Sequence, residues 1–446
     1  MPHSKGGNIF PSRHNPDLQV PFKEAFPEIE SLHVEVTETG EGNHGLGLRR
    51  FTTLSIREFI NCSNHRCGGK GVCIGEVLRE MIAHGVAERT LQRPCQSREE
   101  NGKPCPNIFT LQIHLHLASM DPRDSPNPFG VLAFLHWDHA WNAHHFGEAD
   151  VAKAAGLMKE AGIGFVRMDF LWSDLEPQES QWRFDRYDRI VDIITAQGIK
   201  LLAVLNYNSS WSGKPWNTPP DPRAFGRYAQ TVVRRYKDRI RYWEIWNEPD
   251  HPNYWQPQDD LRVYSQLLRQ TYDVIKTEDA SAEVLHGGLS AALPKYLRYL
   301  YEKAGGAAFD IVNVHPFVTP LSADPMGTLR THYTGIREIM SAFGDTRKPV
   351  WFTEIGCPGV PWVKRSPQAA HWWLGESPGE EQQARWLKQI YEEALRWPGL
   401  EKIFWAFFRD TPNHFGDGVD FFGLVREDFS KKPAFEAYQR LALTSG

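Results

Sequence analysis

From Phe129 onward, short apolar runs alternate with longer amphipathic stretches, and the alternation repeats about eight times. The runs are VLAFLH, GFVRMDF, IKLLAVL, RYWEIW, AEVLHGG, DIVNVH, PVWFTE and KIFWAFF. Strands this apolar have no face to offer water, so they belong in a parallel sheet covered on both sides. The stretches between them have helical spacing. EADVAKAAGLMKEAG puts Val151, Ala155 and Met158 on one face and stops at Gly162. FGRYAQTVVRRYKDR and EEQQARWLKQIYEEALRW behave the same way. Repeated β-then-α units over residues 129–446 predict an α/β fold, a closed (β/α)8 TIM barrel. The alternative is an open doubly wound sheet, but no G-x-G-x-x-G opens the first unit.

In such a barrel the C-terminal strand ends converge on one mouth. Those ends carry His136 and Trp137, Arg167 and Asp169, Asn206 and Tyr207, Asn247 and Glu248, His315, Glu354, Trp405, Arg409 and Asp410. Polar groups at nearly every end, with aromatics among them, predict a polar site with flat walls. Glu248 ends the fourth strand and Glu354 the seventh, so the barrel sets them across the mouth from each other. Two facing carboxyl groups are what glycoside hydrolysis requires: one protonates the leaving oxygen and the other attacks the anomeric carbon. One must stay neutral while the other is ionised.

WNEPD resembles the W-N-E-P motif of clan A glycoside hydrolases. The resemblance makes Glu248 the acid/base and gives Asn247 a hydrogen bond to the sugar 2-hydroxyl. WFTEIG resembles the strand-seven motif and makes Glu354 the nucleophile. Arg167 in VRMDF matches the strand-two Arg that steadies the nucleophile, and Trp405 in FWAFFRD matches the strand-eight Trp that floors the first sugar subsite. FFGLVREDFSKKPAFEAY is similar to the C-terminal signature of glycoside hydrolase family 39 and its bacterial exopolysaccharide-cleaving relatives, with family 5 next. The resemblance covers residues 129–443. It departs at VHPFV: His315 matches, but Phe317 stands where many relatives carry a Tyr that supports the nucleophile. Tyr333, Tyr207 or a water is expected to replace that donor.

Long loops after the strands add Trp211 and Trp216, His251, Tyr254 and Trp255, then Trp362, Trp372 and Trp373. Such rings are expected as sugar-stacking platforms, Trp255 included. Cys357 is read as packing. The resulting expectation is a retaining β-glycosidase, β-xylosidase-like or endo-glycanase-like. It would use double displacement on an oligo- or polysaccharide and need no cofactor for catalysis. The alternatives are a transglycosidase on the same site or a non-catalytic carbohydrate-binding barrel.

Ahead of the barrel, SLHVEV and IFTLQIHLHL alternate like half-buried strands, FTTLSIREFINC reads as another strand, and IGEVLREMIAHGV has helical spacing. These predict a small α+β domain over residues 29–118. A disordered leader (1–28) precedes it and a linker (119–128) follows. Five of the six cysteines fall between Cys62 and Cys105. Cys62, Cys67, Cys95 and Cys105 are candidate ligands for a structural zinc, with disulfides or free thiols as the alternatives. His114 and His116 share the other face of their strand, read as solvated.

The formal net charge of -5, with no long basic run, argues against a nucleic-acid partner. No apolar run approaches a membrane span, and no apolar leader segment is visible. A cytoplasmic location is expected, with an extracytoplasmic one as the alternative should a leader be missing from this sequence, and carbohydrate as the partner. The oligomeric state is open.

Overall fold

The computed structural model describes residues 8–12, 17–40, 47–83, 86–117, 123–139, 146–290, 294–361, 377–411, 414–415 and 418–444. The chain divides into two compact units, one up to Pro122 and one from Arg123 to Thr444.

The first unit holds β1 (Ile9–Pro11), β2 (Gln19–Pro21), α1 (Phe22–Ala25), β3 (Ile29–Thr39), β4 (Arg49–Thr52), β5 (Phe59–Ile60), β6 (Val72–Cys73), α2 (Ile74–Ala83), β7 (Glu88–Pro94) and β8 (Ile108–Leu117). Its main sheet is antiparallel, in the order β4-β3-β8-β7. Alternation puts Leu32, Val34 and Val36 of β3 and Leu111, Ile113 and Leu115 of β8 on the buried face, where Val77, Leu78 and Met81 of α2 join the same core. On the outer face His114 meets Glu88 and His116 meets Glu30. Two expectations are corrected. FTTLSIREFINC is two short strands, β4 and β5, broken by a turn closed by Thr52, Ser55 and Ile56. Much of the expected leader is ordered: Phe10, Phe22 and Phe26 are buried and pack ring to ring. Three aromatics in a polar segment outweigh its composition, because each ring removes a large apolar surface from water.

The second unit is a barrel. Its strands are β9 (Phe129–Leu132), β10 (Phe165–Leu171), β11 (Lys200–Asn206), β12 (Tyr242–Ile245), β13 (Glu283–His286), β14 (Val312–Val314), β15 (Val350–Ile355) and β16 (Leu400–Ala406). Helices α3 (Glu148–Glu160), α4 (Trp172–Leu175), α5 (Asp185–Ala196), α6 (Pro222–Tyr236), α7 (Arg262–Glu278), α8 (Pro294–Lys303), α9 (Pro325–Ala342), α10 (Glu380–Ala394) and α11 (Pro433–Thr444) lie between and after them. All ladder pairs are parallel, in the order β13-β12-β11-β10-β9-β16-β15-β14. Parallel bridges Leu285–Ile311 and Leu289–Val314 close the ring between β13 and β14. The residues expected as linker include Arg123, whose guanidinium meets Asp279, and Asp124, which accepts from Tyr242 Oη at 2.6 Å.

The barrel interior is layered. Phe165, Leu202, Tyr242, Leu285, Ile311, Trp351 and Phe404 form a buried apolar cluster drawn from seven positions around the ring. Gly130 supplies the eighth position without a side chain, because a Cβ there would meet the Phe404 ring at 2.5 Å. Two residues further along the strands the layer turns polar, with Arg167, Glu244, Asn313 and Thr353 beside Val204, Gly287 and Ala406. This layer is the base on which the mouth is built.

Candidate active site

A regular strand presents only every second side chain to the barrel interior. Two irregularities defeat that rule at the mouth. After β12, Trp246 (φ 70°) and Glu248 (φ 44°) take left-handed backbone, a costly conformation for non-glycine residues. Consecutive side chains Asn247 and Glu248 therefore both reach the site. Asn247 Oδ1 accepts from Arg167 Nη2 at 2.8 Å, and Glu248 Oε1 lies 2.8 Å from His315 Nδ1. On β15 the ladder slips between Phe352 and Ile355. Thr353 and Glu354, also consecutive, then both face inward.

Arg167 organises one side. It is buried, and Glu244 grips it through Nε at 2.7 Å and Nη2 at 2.8 Å. Its Nη1 donates to Glu354 Oε1 at 2.6 Å. A bidentate clamp fixes the guanidinium plane and thus the direction of the remaining donor. Glu244 was missed in the sequence. Its signal was a lone charge inside the apolar run YWEIW, at the parity of Tyr242.

Glu248 sits at the end of a hydrogen-bonded chain whose direction is fixed by groups with one choice. The Asn313 amide nitrogen donates to the His286 carbonyl at 3.1 Å, so Oδ1 faces Thr353. Thr353 Oγ1 donates to that oxygen at 2.6 Å. It must then accept from His315 Nε2, 2.9 Å away. Burial pushes the His315 imidazole well below its usual value, so the ring is neutral and its Nδ1 is an acceptor. Glu248 Oε1 faces this acceptor and must carry a proton. Burial and the nearby Glu354 carboxylate push the Glu248 carboxyl well above its ordinary range. Gly288 leaves the room for this ring, since a Cβ there would meet His315 Nε2 at 2.0 Å. Thr353 and Asn313 were also missed; Asn313 stands two residues before His315, on the same side of β14.

Glu354 is held differently. Burial raises its carboxyl, Arg167 pulls it back, and the balance leaves it at about 7. One oxygen each of Glu248 and Glu354 and a nitrogen of His315 lie within 4.8 Å of one another. Such a trio can in principle hold a cation. Here the Arg167 guanidinium already occupies Glu354, and His315 Nδ1 faces the Glu248 proton, so the donors are committed.

The remaining expected residues divide into two groups. Asn206 Nδ2 donates to Asp169 Oδ1 at 2.7 Å, and His136 Nε2 stands 3.8 Å from the other Asp169 oxygen. Burial raises Asp169 to about 6 and lowers His136 to about 3. Neither ring nitrogen of His136 nor Asn206 Oδ1 has a hydrogen-bond partner among the described residues. Tyr207 forms an aromatic corner with Trp216 (4.9 Å) and Tyr254 (6.5 Å). Trp137 stacks on Phe134 at 4.0 Å.

Three expectations are corrected. Trp405 lies between the inward Phe404 and Ala406, so it faces away from the barrel interior; it is wholly buried, with Nε1 donating to the Phe422 carbonyl at 2.9 Å. Tyr333 is on α9, packs on Phe352 and Trp397, and donates to the Pro398 carbonyl at 2.5 Å. It does not replace the missing Tyr donor. Trp255 is wholly buried, edge-on to Trp246 (5.0 Å) and Tyr264 (5.6 Å), so it braces the β12 loop. Asp410 is a structural group, paired with buried Lys432 at 3.1 Å. Cys357 is wholly buried, and burial raises its thiol. Trp362, Trp372 and Trp373 lie outside the described residues.

In the first unit, the Sγ atoms of Cys62, Cys67, Cys95 and Cys105 all lie within 4.8 Å of one another, an arrangement able to hold a metal ion.

A beta-galactosidase family model, that of glycosyl hydrolase family 42, matches residues 140–206. Beta-glucosidase 6 of Oryza sativa subsp. japonica is 28% identical over 134 residues, which are 27% of this chain and 24% of that relative. This chain thus spans about a quarter of that relative's length. Among solved structures, a family 39 glycoside hydrolase from the gut symbiont Bacteroides cellulosilyticus WH2 aligns with a TM-score of 0.56 and 19% identity, over 92% of this chain and 77% of that one. A monomeric beta-xylosidase from Caulobacter crescentus CB15 aligns with a TM-score of 0.54 and 18% identity, over 70% and 67%. These likenesses show the fold. That fold, a (β/α)8 barrel, is one that family 39 glycoside hydrolases also have, and the family 42 model matches a stretch of it.

Proposed function

We propose that the protein is a retaining β-glycosidase acting on O-glycosidic bonds of an oligo- or polysaccharide. The observation that carries this reading is the opposite setting of two carboxyl groups in one mouth. Glu248 faces an acceptor-only His315 nitrogen and keeps its proton; Glu354 accepts from Arg167 and is steered toward its charge. Their nearest oxygens fall within 4.8 Å. That spacing suits direct attack by a carboxylate, about 5–5.5 Å, better than the roughly 6.5–9.5 Å that leaves room for a water.

In the first step Glu354 attacks the anomeric carbon. The C–O bond to the leaving group breaks, and Glu248 supplies the proton to the departing oxygen. In the second step Glu248, now ionised, takes a proton from water. The resulting hydroxide equivalent displaces Glu354 and releases a sugar of unchanged anomeric configuration. Arg167 supplies the donor that Phe317 lacks. Asp169, with Asn206 and His136 beside it, supplies acceptor and donor groups for sugar hydroxyls. Tyr207, Trp216 and Tyr254 supply a stacking wall on the β11–β12 side. The catalytic step requires no cofactor. All six cysteines are unpaired, which suits a reducing compartment and supports the proposed cytoplasmic location.

The test is turnover of aryl β-glycosides and β-linked oligosaccharides, with the first-formed anomer read by NMR. A β product that mutarotates afterwards is expected. An α product would sink the retaining assignment. Binding without turnover across the series would favour a non-catalytic barrel, and longer products would favour transfer.

A further inference from the structure

The barrel's chemistry leaves the cysteine cluster of the first unit unused. Its four sulfurs come from two separate connections. Cys62 and Cys67 lie between β5 and β6; Cys95 and Cys105 lie between β7 and β8. Cys62 Sγ is 3.7 Å from Cys105 Sγ, and Cys67 Sγ is 4.0 Å from Cys95 Sγ. A disulfide needs about 2.05 Å. Four sulfurs about 2.3 Å from a central zinc ion stand roughly 3.8 Å from one another at the corners of a tetrahedron. The two measured separations bracket that edge length, and every other pair falls within 4.8 Å.

We propose that Cys62, Cys67, Cys95 and Cys105 bind one zinc ion as a four-thiolate structural site that ties the β5–β6 connection to the β7–β8 connection. This goes beyond the glycosidase reading and does not depend on it.

The surroundings are built for such a centre. Asn64 directs its backbone N–H at Cys62 Sγ (3.4 Å) and its side-chain amide at Cys105 Sγ (3.5 Å). Donors of this kind stabilise thiolates and orient them toward an ion. Glu38 holds the Cys62 loop, accepting from Ser63 N at 2.9 Å, from Asn107 Nδ2 at 2.7 Å and from the Cys62 thiol at 3.2 Å, a contact that thiolate formation would give up. Arg49 Nη2, 3.0 Å from Glu38, offsets that carboxylate's charge beside the anionic cluster. Zinc binds cysteines as thiolates, so binding exchanges thiol protons for the ion. Four protein ligands leave no open position, so the site is structural. The connections it joins have little regular structure: the described part between β5 and β6 has no helix or ladder strand, and the segment between β7 and β8 has only isolated bridges. A small unit of this kind gains stability from a cross-link.

The experiment is metal analysis of the full chain purified with reductant from zinc-containing medium. About one zinc per chain is expected. Cys62→Ser and Cys105→Ser should each lose it, while Cys73→Ser, whose thiol is outside the cluster, should keep it. Should the serine variants fail to fold, the wild-type chain exchanged into cobalt(II) carries the test. It should show the intense visible bands and sulfur charge transfer of tetrahedral tetrathiolate cobalt. Less than about half an equivalent of zinc per chain, iron in its place, or disulfides mapped among these four cysteines would each overturn the assignment.

Discussion

His315 Nδ1 lies 2.8 Å from Glu248 Oε1, and the imidazole can only accept there. The constraint begins three groups away, at the Asn313 amide, and passes through Thr353. If Glu248 ionised without rearrangement, two lone pairs would face each other across that gap. The chain therefore holds the proton on Glu248, as the proposed acid role requires.

Thr353→Val tests this directly. The variant frees His315 to place its proton on Nδ1, where it donates to the Glu248 carboxylate. Hydrogen bonding to the charged form lowers a carboxyl pKa. The alkaline limb of the kcat/KM profile should move to lower pH, and stability should fall by about 1–3 kcal/mol for the buried donor and acceptor left behind. An unmoved alkaline limb would refute the lock.

In the wild type a bell-shaped profile is expected. Activity should rise as Glu354 ionises, near 7, and fall at higher pH as Glu248 loses its proton. The two limbs belong to a coupled pair, so they are read as apparent values.

Glu244→Gln removes a negative charge that now opposes ionisation of Glu354. Arg167 would then act on Glu354 with less competition, so the acid limb should shift to lower pH. The same change breaks a buried ion pair, which costs about 3–5 kcal/mol. Thermal unfolding and a pH–rate profile on one preparation check both.

Glu354→Gln should lower kcat by on the order of 10⁴–10⁶-fold, and Glu248→Gln by about 10²–10⁴-fold on poor leaving groups. Glu248→Gln should also stabilise. A carboxyl raised in the folded state holds its proton where the unfolded chain has lost it, so stability declines as pH climbs above the unfolded value. The variant's melting point should exceed wild type at about pH 7 and match it at about pH 4. No difference at the higher pH would count against a raised Glu248.

Trp216→Ala tests the aromatic wall. The ring is 49% exposed and edge-on to Tyr207. For oligosaccharides, KM should rise roughly 2–10-fold, equivalent to about 0.5–1.5 kcal/mol, with kcat little changed.

The barrel and its two carboxylates were legible because apolar rhythm and strand-end position survive in one dimension. Glu244, Asn313 and Thr353 were not, because their part depends on which side of a strand they face and what stands across the ring. Trp405 shows the same limit in reverse. A motif gives it a place in the subsite, but the parity set by Phe404 and Ala406 turns it outward. Tyr333 was named for its hydroxyl, yet the helix carrying it packs outside the barrel. The leader was misjudged from average polarity, which hides three phenylalanines that find each other.

The backbone turns at Trp246 and Glu248, and the slip on β15, limit what this scaffold can become. Each lets adjacent residues share one small space, so the mouth holds more functional groups than a regular sheet could offer. A designer who smoothed these segments into ideal strands would gain conformational ease and lose half the groups from each pair. Random variation meets the same restriction, since a change that restored regularity would improve the fold while erasing the chemistry. On this barrel, new specificity is easier to reach through the loops than through the strand ends.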